Sequence, residues 1–143
     1  MHLVHGTTVD ILGHGVLIRG PSGSGKSDLA LRLIDGGARL VADDQTALCL
    51  QDGRLEARAP ATIAGLLEVR GLGILRLGPC ESSVLALVVD LVSDDAIERL
   101  PEPQQEEILG IRLPRLALAP FQSSAAAKVR LAVLSATRDI MLP

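Results

Sequence analysis

The run Gly20-Pro21-Ser22-Gly23-Ser24-Gly25-Lys26-Ser27 constrains this chain more than any other stretch. It satisfies the pattern GxxxxGK[ST], known as Walker A, at every fixed position. An apolar strand pattern, Val16-Leu17-Ile18, precedes it, and Leu29, Ala30, Leu33 and Ile34 share one helical face after it. Strand, glycine loop and helix together form the arrangement in which backbone N–H groups converge on a phosphate. Glycines permit dihedrals and a closeness of approach that a Cβ would forbid, and the helix adds the positive end of its dipole. A P-loop triphosphate site is therefore expected, with Lys26 as a point charge on the outer phosphates and the Ser27 hydroxyl as a Mg²⁺ ligand. An ordinary glycine turn with an exposed lysine is the plainer alternative. It requires several fixed positions to coincide by chance in the right structural context.

The rest of the chain alternates strand and helix patterns. Leu3 to Ile11 is rich in β-branched and apolar residues, and Gly36-Gly37 supplies a stop for the helix expected over Ser27 to Ile34. Arg39 to Ala42 reads as a short strand ending in Asp43-Asp44, and two further strands flank the turn Gln51-Asp52-Gly53-Arg54 as a hairpin. Leu66 to Leu77 is strand-like but broken by Gly71 and Gly73, and Val84 to Val89, the most apolar run, should be a central strand. Ser93 to Glu107, with Pro101 and Pro103, looks like a charged surface connection holding one short helical turn. Ile111 to Leu118 suggests one more strand. Ser123 to Thr137 predicts a helix, capped by Ser123 or Ser124, with Ala126, Val129, Leu131, Val133 and Leu134 available for packing.

At 143 residues, with 48% hydrophobic and 22% charged residues, one globular domain over 1–143 is expected, and no run is apolar enough to span a membrane. The first ten residues carry neither a basic nor an apolar leader pattern, which argues for the cytoplasm. Cys49 and Cys80 match no metal or redox spacing and are expected to be buried thiols. The net charge of −3, with dispersed arginines, argues against nucleic-acid binding. With Phe121 as the only aromatic residue, no aromatic platform for stacking on a base is expected.

Mg²⁺ on phosphates normally also takes a protein carboxylate, directly or through water. By pattern alone two candidates compete: Asp90, which follows the apolar run ending Val88-Val89, and the pair Asp43-Asp44 at the end of an earlier strand. A solvated strand-end acid is the plain alternative for either.

Several stretches together resemble one family: His5-Gly6, Gly20 to Asp28, Arg39 to Asp44, and Glu68-Val69-Arg70-Gly71-Leu72-Gly73-Ile74. The chain is similar to the C-terminal catalytic domain of bacterial HPr kinase/phosphorylase, in a short form. The resemblance implies an α/β P-loop domain with a mixed sheet, similar to the nucleotide domain of phosphoenolpyruvate carboxykinase. It implies a kinase that moves the γ-phosphoryl group of ATP to a serine of an HPr-like phosphocarrier protein, within regulation of the phosphotransferase system. The reverse reaction, using inorganic phosphate and releasing pyrophosphate, and assembly as a hexamer are implied with it. Matched to the family's motifs, Asp44 falls on the general base, His5 and Lys26 on other active-site positions, and Ser27 and Glu68 on the Mg²⁺ positions. Asp43 sits beside them as support, and Asp90 becomes a strand-end acid. Without the resemblance, His5 and Glu68 would be read as a structural histidine and a solvated side chain.

The sequence departs from the family in two places. Longer members have a separate N-terminal domain and a glycine-rich segment ending in an active-site arginine, whereas here Leu77 to Ser83 runs almost directly into the next strand. Arg76 or Arg70 would have to supply that charge. Arg112 and Arg115 match a late phosphate-binding loop only loosely, and flanking a strand explains them as well. Two other readings follow: a nucleotide-binding regulator with little transfer activity, and a small-molecule P-loop kinase with Asp90 on the metal.

Overall fold

Eleven strands and two helices build an α/β fold in the computed structural model, which describes residues 1–78 and 80–138. In chain order the strands are β1 (His2–His5), β2 (Thr7–Ile11), β3 (His14–Arg19), β4 (Arg39–Ala42), β5 (Gln45–Gln51), β6 (Arg54–Arg58), β7 (Leu66–Val69), β8 (Gly73–Arg76), β9 (Ser83–Leu91), β10 (Gln104–Ile108) and β11 (Ile111–Leu118). The helices are α1 (Lys26–Asp35) and α2 (Ala125–Arg138). Nine strands form one mixed sheet in the order β1-β5-β6-β9-β3-β2-β4, with β11 also pairing β9 and β10 on the outside of β11. β7 and β8 form a separate hairpin.

The centre of the sheet is β9, which runs parallel to β3 and β11 and antiparallel to β6. Its apolar run is long because both faces are covered. On one face Val16, Ile18, Leu87, Val89 and Leu91 meet Leu29, Ala30 and Leu33 of α1 and Ala125, Ala126, Val129 and Val133 of α2. On the other, Leu17, Leu85 and Val88 meet Leu48, Leu55 and Ala57, because the sheet curls β5 and β6 over them. Leu85 and Leu87 point to opposite layers although they are two residues apart. The pairing of β3 with β9 slips between Gly15/Leu85 and Val16/Leu87, so Ala86 is the extra residue of a bulge that reverses the alternation.

Differences from expectation have local causes. Leu3 to Ile11 is two strands, parted at Gly6, whose N–H turns aside to donate to the Asp44 carbonyl at 2.9 Å. Residues 93–107 contain the expected short helical turn, Asp94–Ala96, but also β10, whose polar sequence Gln-Gln-Glu-Glu-Ile carries no strand signal and is held by pairing with β11. The hairpin at Gln51–Arg54 forms as read. Cys80 is buried, and burial pushes its thiol pKa up, whereas Cys49 is only half-buried; both are free. Leu131 of α2 faces solvent rather than the core. Among the described residues no helix is long and apolar enough to cross a membrane.

Candidate active site

The P-loop leaves the C-terminal end of β3 and turns into α1 at Gly25, whose φ of +102° belongs to the left-handed region that L side chains rarely adopt. A Cβ at Gly20 would lie 2.5 Å from Ser24 Oγ and 3.2 Å from Ser24 Cβ, so a side chain there would force Ser24 to shift. The Ser24 N–H donates to the Pro21 carbonyl at 3.0 Å, and no side chain caps the first turn of α1. The free N–H groups of that turn thus remain available for an anion. Lys26 is buried, and its ammonium donates to the carbonyls of Gly20 at 2.8 Å and Pro21 at 3.0 Å. These bonds hold its charge at the loop's mouth.

Beyond β4 the chain places two carboxylates in different roles. Asp43 is buried and ties three segments together. Its Oδ1 accepts from Ser27 Oγ at 2.7 Å and from Thr7 Oγ1 at 3.0 Å, while Oδ2 accepts the Glu68 N–H at 3.3 Å. Asp44 has φ +67°, a left-handed backbone that aspartate tolerates better than most residues. Thr7 Oγ1, accepting its N–H at 3.2 Å, and the Gly6 N–H on its carbonyl hold it there. That turn breaks the alternation and sends the Asp44 side chain into the cleft while Asp43 stays beneath.

The cleft has a volume of about 460 Å³. Ser22, Gly23, Gly25, Lys26 and Ser27 of the loop line it together with Asp44 and with Glu68, Val69 and Arg70 of the β7–β8 hairpin. Leu67 and Val69 are buried against Leu40, with Leu31 and Ile34 of α1 packed alongside, so the alternation of β7 turns Glu68 outward. Gly20, Pro21 and Ser24 are not in the lining. Nor is His5: its Nε2 lies 3.0 Å from Asp44 Oδ1, so it reaches the cleft through Asp44. An ionised Asp44 can only accept, which puts the imidazole proton on Nε2. Among the described residues Asp44 Oδ2 has no protein partner.

Those residues fit a hard cation held with phosphates. Among the described residues no three His, Cys, Asp or Glu side chains form a ready-made metal cage. Mg²⁺ does not need one, because it keeps several waters and takes one or two carboxylates plus substrate oxygens. The Ser27 hydroxyl gives its proton to Asp43 and keeps its lone pairs, and Glu68 supplies a second oxygen donor across the cleft.

The HPr Serine kinase C-terminal domain family matches residues 1–138. The chain belongs to that family. An HPr kinase/phosphorylase of Bordetella pertussis is 41% identical over 151 aligned residues, covering 97% of this chain and 48% of the relative. The HPr kinase/phosphorylase of Leptothrix cholodnii is 43% identical over 128, covering 80% and 39%. This chain thus spans about half the length of the curated relatives it matches, or less. The solved Hpr(Ser) kinase/phosphatase of Coxiella burnetii superposes with a TM-score of 0.81 at 26% identity, over 98% of this chain and 92% of that one.

Within this HPr kinase fold Asp90 is the strand-end acid that the resemblance implied, the open alternatives among the arginines narrow, and one expectation, that of Phe121, changes. Asp90 is not in the cleft: it accepts from Arg19 Nε at 2.7 Å and Nη2 at 2.8 Å, and from Arg115 Nε at 2.6 Å. It ties the C-terminal ends of β3 and β9 to the middle of β11. Arg115, also bonded to Gln104, is therefore committed to structure rather than to phosphate. Of the two arginines that could replace the family's missing one, Arg70 lines the cleft and Arg76 does not. Phe121 also lines the cleft, beside Gly25. The lone aromatic is at the site after all, a placement that depends on β11 ending next to β9 and carries no sequence signal except the rarity of the residue.

Burial pushes the Asp90 carboxyl pKa up, but the hydrogen bonds from Arg19 and then Arg115 outweigh it and leave the group below the ordinary carboxylate value. The hydrogen bond to Asp90 in turn holds the Arg19 guanidinium above its ordinary value, against burial. A depressed carboxylate contributes stability that is present above its unfolded pKa and is lost as pH falls through the folded one. Asp90→Asn is expected to cost about 1–3 kcal/mol near neutral pH, because two half-buried guanidinium groups lose their partner. The deficit should shrink as pH falls below about 4. Denaturant unfolding across that range checks the stability, and nucleotide titration should show unchanged Mg²⁺-dependent binding. Loss of that binding would instead return Asp90 to the metal.

Proposed function

We propose that this chain is the catalytic domain of an ATP-dependent protein-serine kinase acting on an HPr-like phosphocarrier protein. The observation that carries the reading is the position of Asp44, forced by its left-handed backbone into the same cleft as the P-loop and oriented there by His5. Phosphoryl transfer asks a protein mainly for positioning and charge stabilisation. The N–H groups of the loop, Lys26 and the first turn of α1 hold the triphosphate. Ser27 and Glu68 are the residues that would hold Mg²⁺, with Asp43 fixing Ser27. When bound, Mg²⁺ neutralises charge on the phosphate oxygens.

Asp44 Oδ2 then takes the proton of the acceptor serine as the serine oxygen bonds to the γ-phosphorus and the bond from that phosphorus to the leaving nucleoside diphosphate breaks. His5 keeps Oδ1 occupied. Arg70 brings a positive charge to the lining of the same cleft, where an arginine would offset charge on the transferred group. In the reverse direction Asp44 returns its proton to the serine oxygen. Inorganic phosphate is then the attacking group and pyrophosphate the product.

The proposal extends to a cytoplasmic enzyme of the phosphotransferase system that self-associates, as a hexamer by resemblance. The exposed Leu72, Ile74 and Leu75 of the β7–β8 hairpin offer apolar surface for a partner, whether another copy or the carrier. Incubation with ATP, Mg²⁺ and the HPr-like protein of the same cell should yield seryl phosphate on the carrier. Adding inorganic phosphate to the phosphorylated carrier should release pyrophosphate. Tight ATP binding with no transfer to any carrier would reject the kinase reading and leave a nucleotide-binding regulator.

A further inference from the structure

The three parallel strands β3, β9 and β11 end on one side of the sheet, and two of the chain segments that follow them meet there. The P-loop follows β3, and Pro120-Phe121-Gln122 follows β11. Ligands of open α/β sheets bind outside the carboxyl ends of such strands. A Cβ at Gly25 would lie 3.0 Å from both Cε1 and Cζ of Phe121 and 3.5 Å from Pro120 Cβ, so the phenyl ring lies directly against the backbone of the loop. Arg32 of α1 fixes the segment from below by donating to the carbonyls of Pro120 and, at 3.3 Å, Gln122. Phe121 is 73% exposed as a residue and contributes to none of the apolar cores. A rigidly mounted, solvent-facing aromatic is costly to leave in water and has no packing role here.

We infer that Phe121 is the platform on which the base of the nucleotide stacks. The inference rests on the P-loop holding the triphosphate, and it adds a specificity-determining residue to that site. Besides Phe121 the lining includes the apolar side chains of Leu31 and Val69, so the cleft offers apolar contacts as well as the polar loop. Every base has a π-face, so stacking alone favours nucleotides over bare polyphosphate without choosing strongly between adenine and guanine.

Calorimetric titration of the full chain with ATP, GTP and inorganic tripolyphosphate, each with Mg²⁺, tests this in the wild type, Phe121→Ala and Phe121→Trp. Phe121→Ala should weaken ATP and GTP by about tenfold and leave tripolyphosphate unchanged, while Phe121→Trp keeps nucleotide affinity. An exposed ring can be removed without unfolding, which thermal melts verify. Equal losses for nucleotide and tripolyphosphate, or no loss for either, would overturn the inference, as would a variant that binds ATP normally but fails only with the carrier. If the wild type binds ATP no better than tripolyphosphate, the base platform is wrong while the phosphate site stands. If it binds neither, the phosphate site is wrong as well.

Discussion

Asp44→Asn is expected to lower phosphoryl transfer by about 10²–10⁴-fold, the usual contribution of a positioned general base, while nucleotide affinity changes by no more than about twofold. The substitution isolates the proton-accepting role. Asparagine has the same shape and is the other residue that tolerates a left-handed backbone, so the φ of +67° and its bonds to Thr7 and Gly6 survive. The side-chain carbonyl can still accept the His5 proton at the place of Oδ1. What is lost is the capacity of the second atom to take a proton. Single-turnover transfer to the carrier, measured beside nucleotide titration, separates the two quantities. A variant that transfers at the wild-type rate would remove Asp44 from the mechanism and with it the proposed function.

Lys26→Met is expected to fail at an earlier step, weakening ATP and tripolyphosphate alike by about 10²-fold, since a hydrogen bond to a charged group is worth about 1.5–3 kcal/mol. Methionine keeps the length and apolar stem that this buried position accepts. It removes the charge and both bonds to the Gly20 and Pro21 carbonyls, so the loop also loses the tie that shapes it. Titration with the two ligands reads the effect. Undiminished affinity for both would remove Lys26 from the phosphate site.

The parts of the site that could be read from the chain alone are those whose physics is local. A glycine loop between an apolar strand and an amphipathic helix dictates its own conformation, and the β7 pattern Leu67-Glu68-Val69 buries two side chains and leaves the middle one outside. Pattern could not separate Asp43 from Asp44. Which one enters the cleft depends on a backbone reversal held by Thr7 and Gly6, some 37 residues earlier in the case of Thr7. The resemblance to a known family supplied that distinction.

Asp90 is a second position that pattern alone left open and the resemblance read as a strand-end acid, as it is. A carboxylate at the end of the central strand looks like a metal ligand until its neighbours are known, and Arg19 and Arg115 lie 71 and 25 residues away in sequence. Strand order decided the matter, and strand order is not periodic information. The polar β10 and the bulge at Ala86 were hidden for the same reason: each exists because of the strand beside it.

Glu68 and Arg70 are carried by a hairpin whose two strands bond in a ladder only with each other, and which is anchored chiefly through Leu67 and Val69. Such a piece can detach for far less free energy than the whole fold requires. A triphosphate gripped on both sides would therefore act as a rivet, and ligand affinity and hairpin docking would become one thermodynamic quantity seen from two ends. Trimming Leu67, which touches no phosphate, would then look in a binding experiment like damage to the phosphate loop.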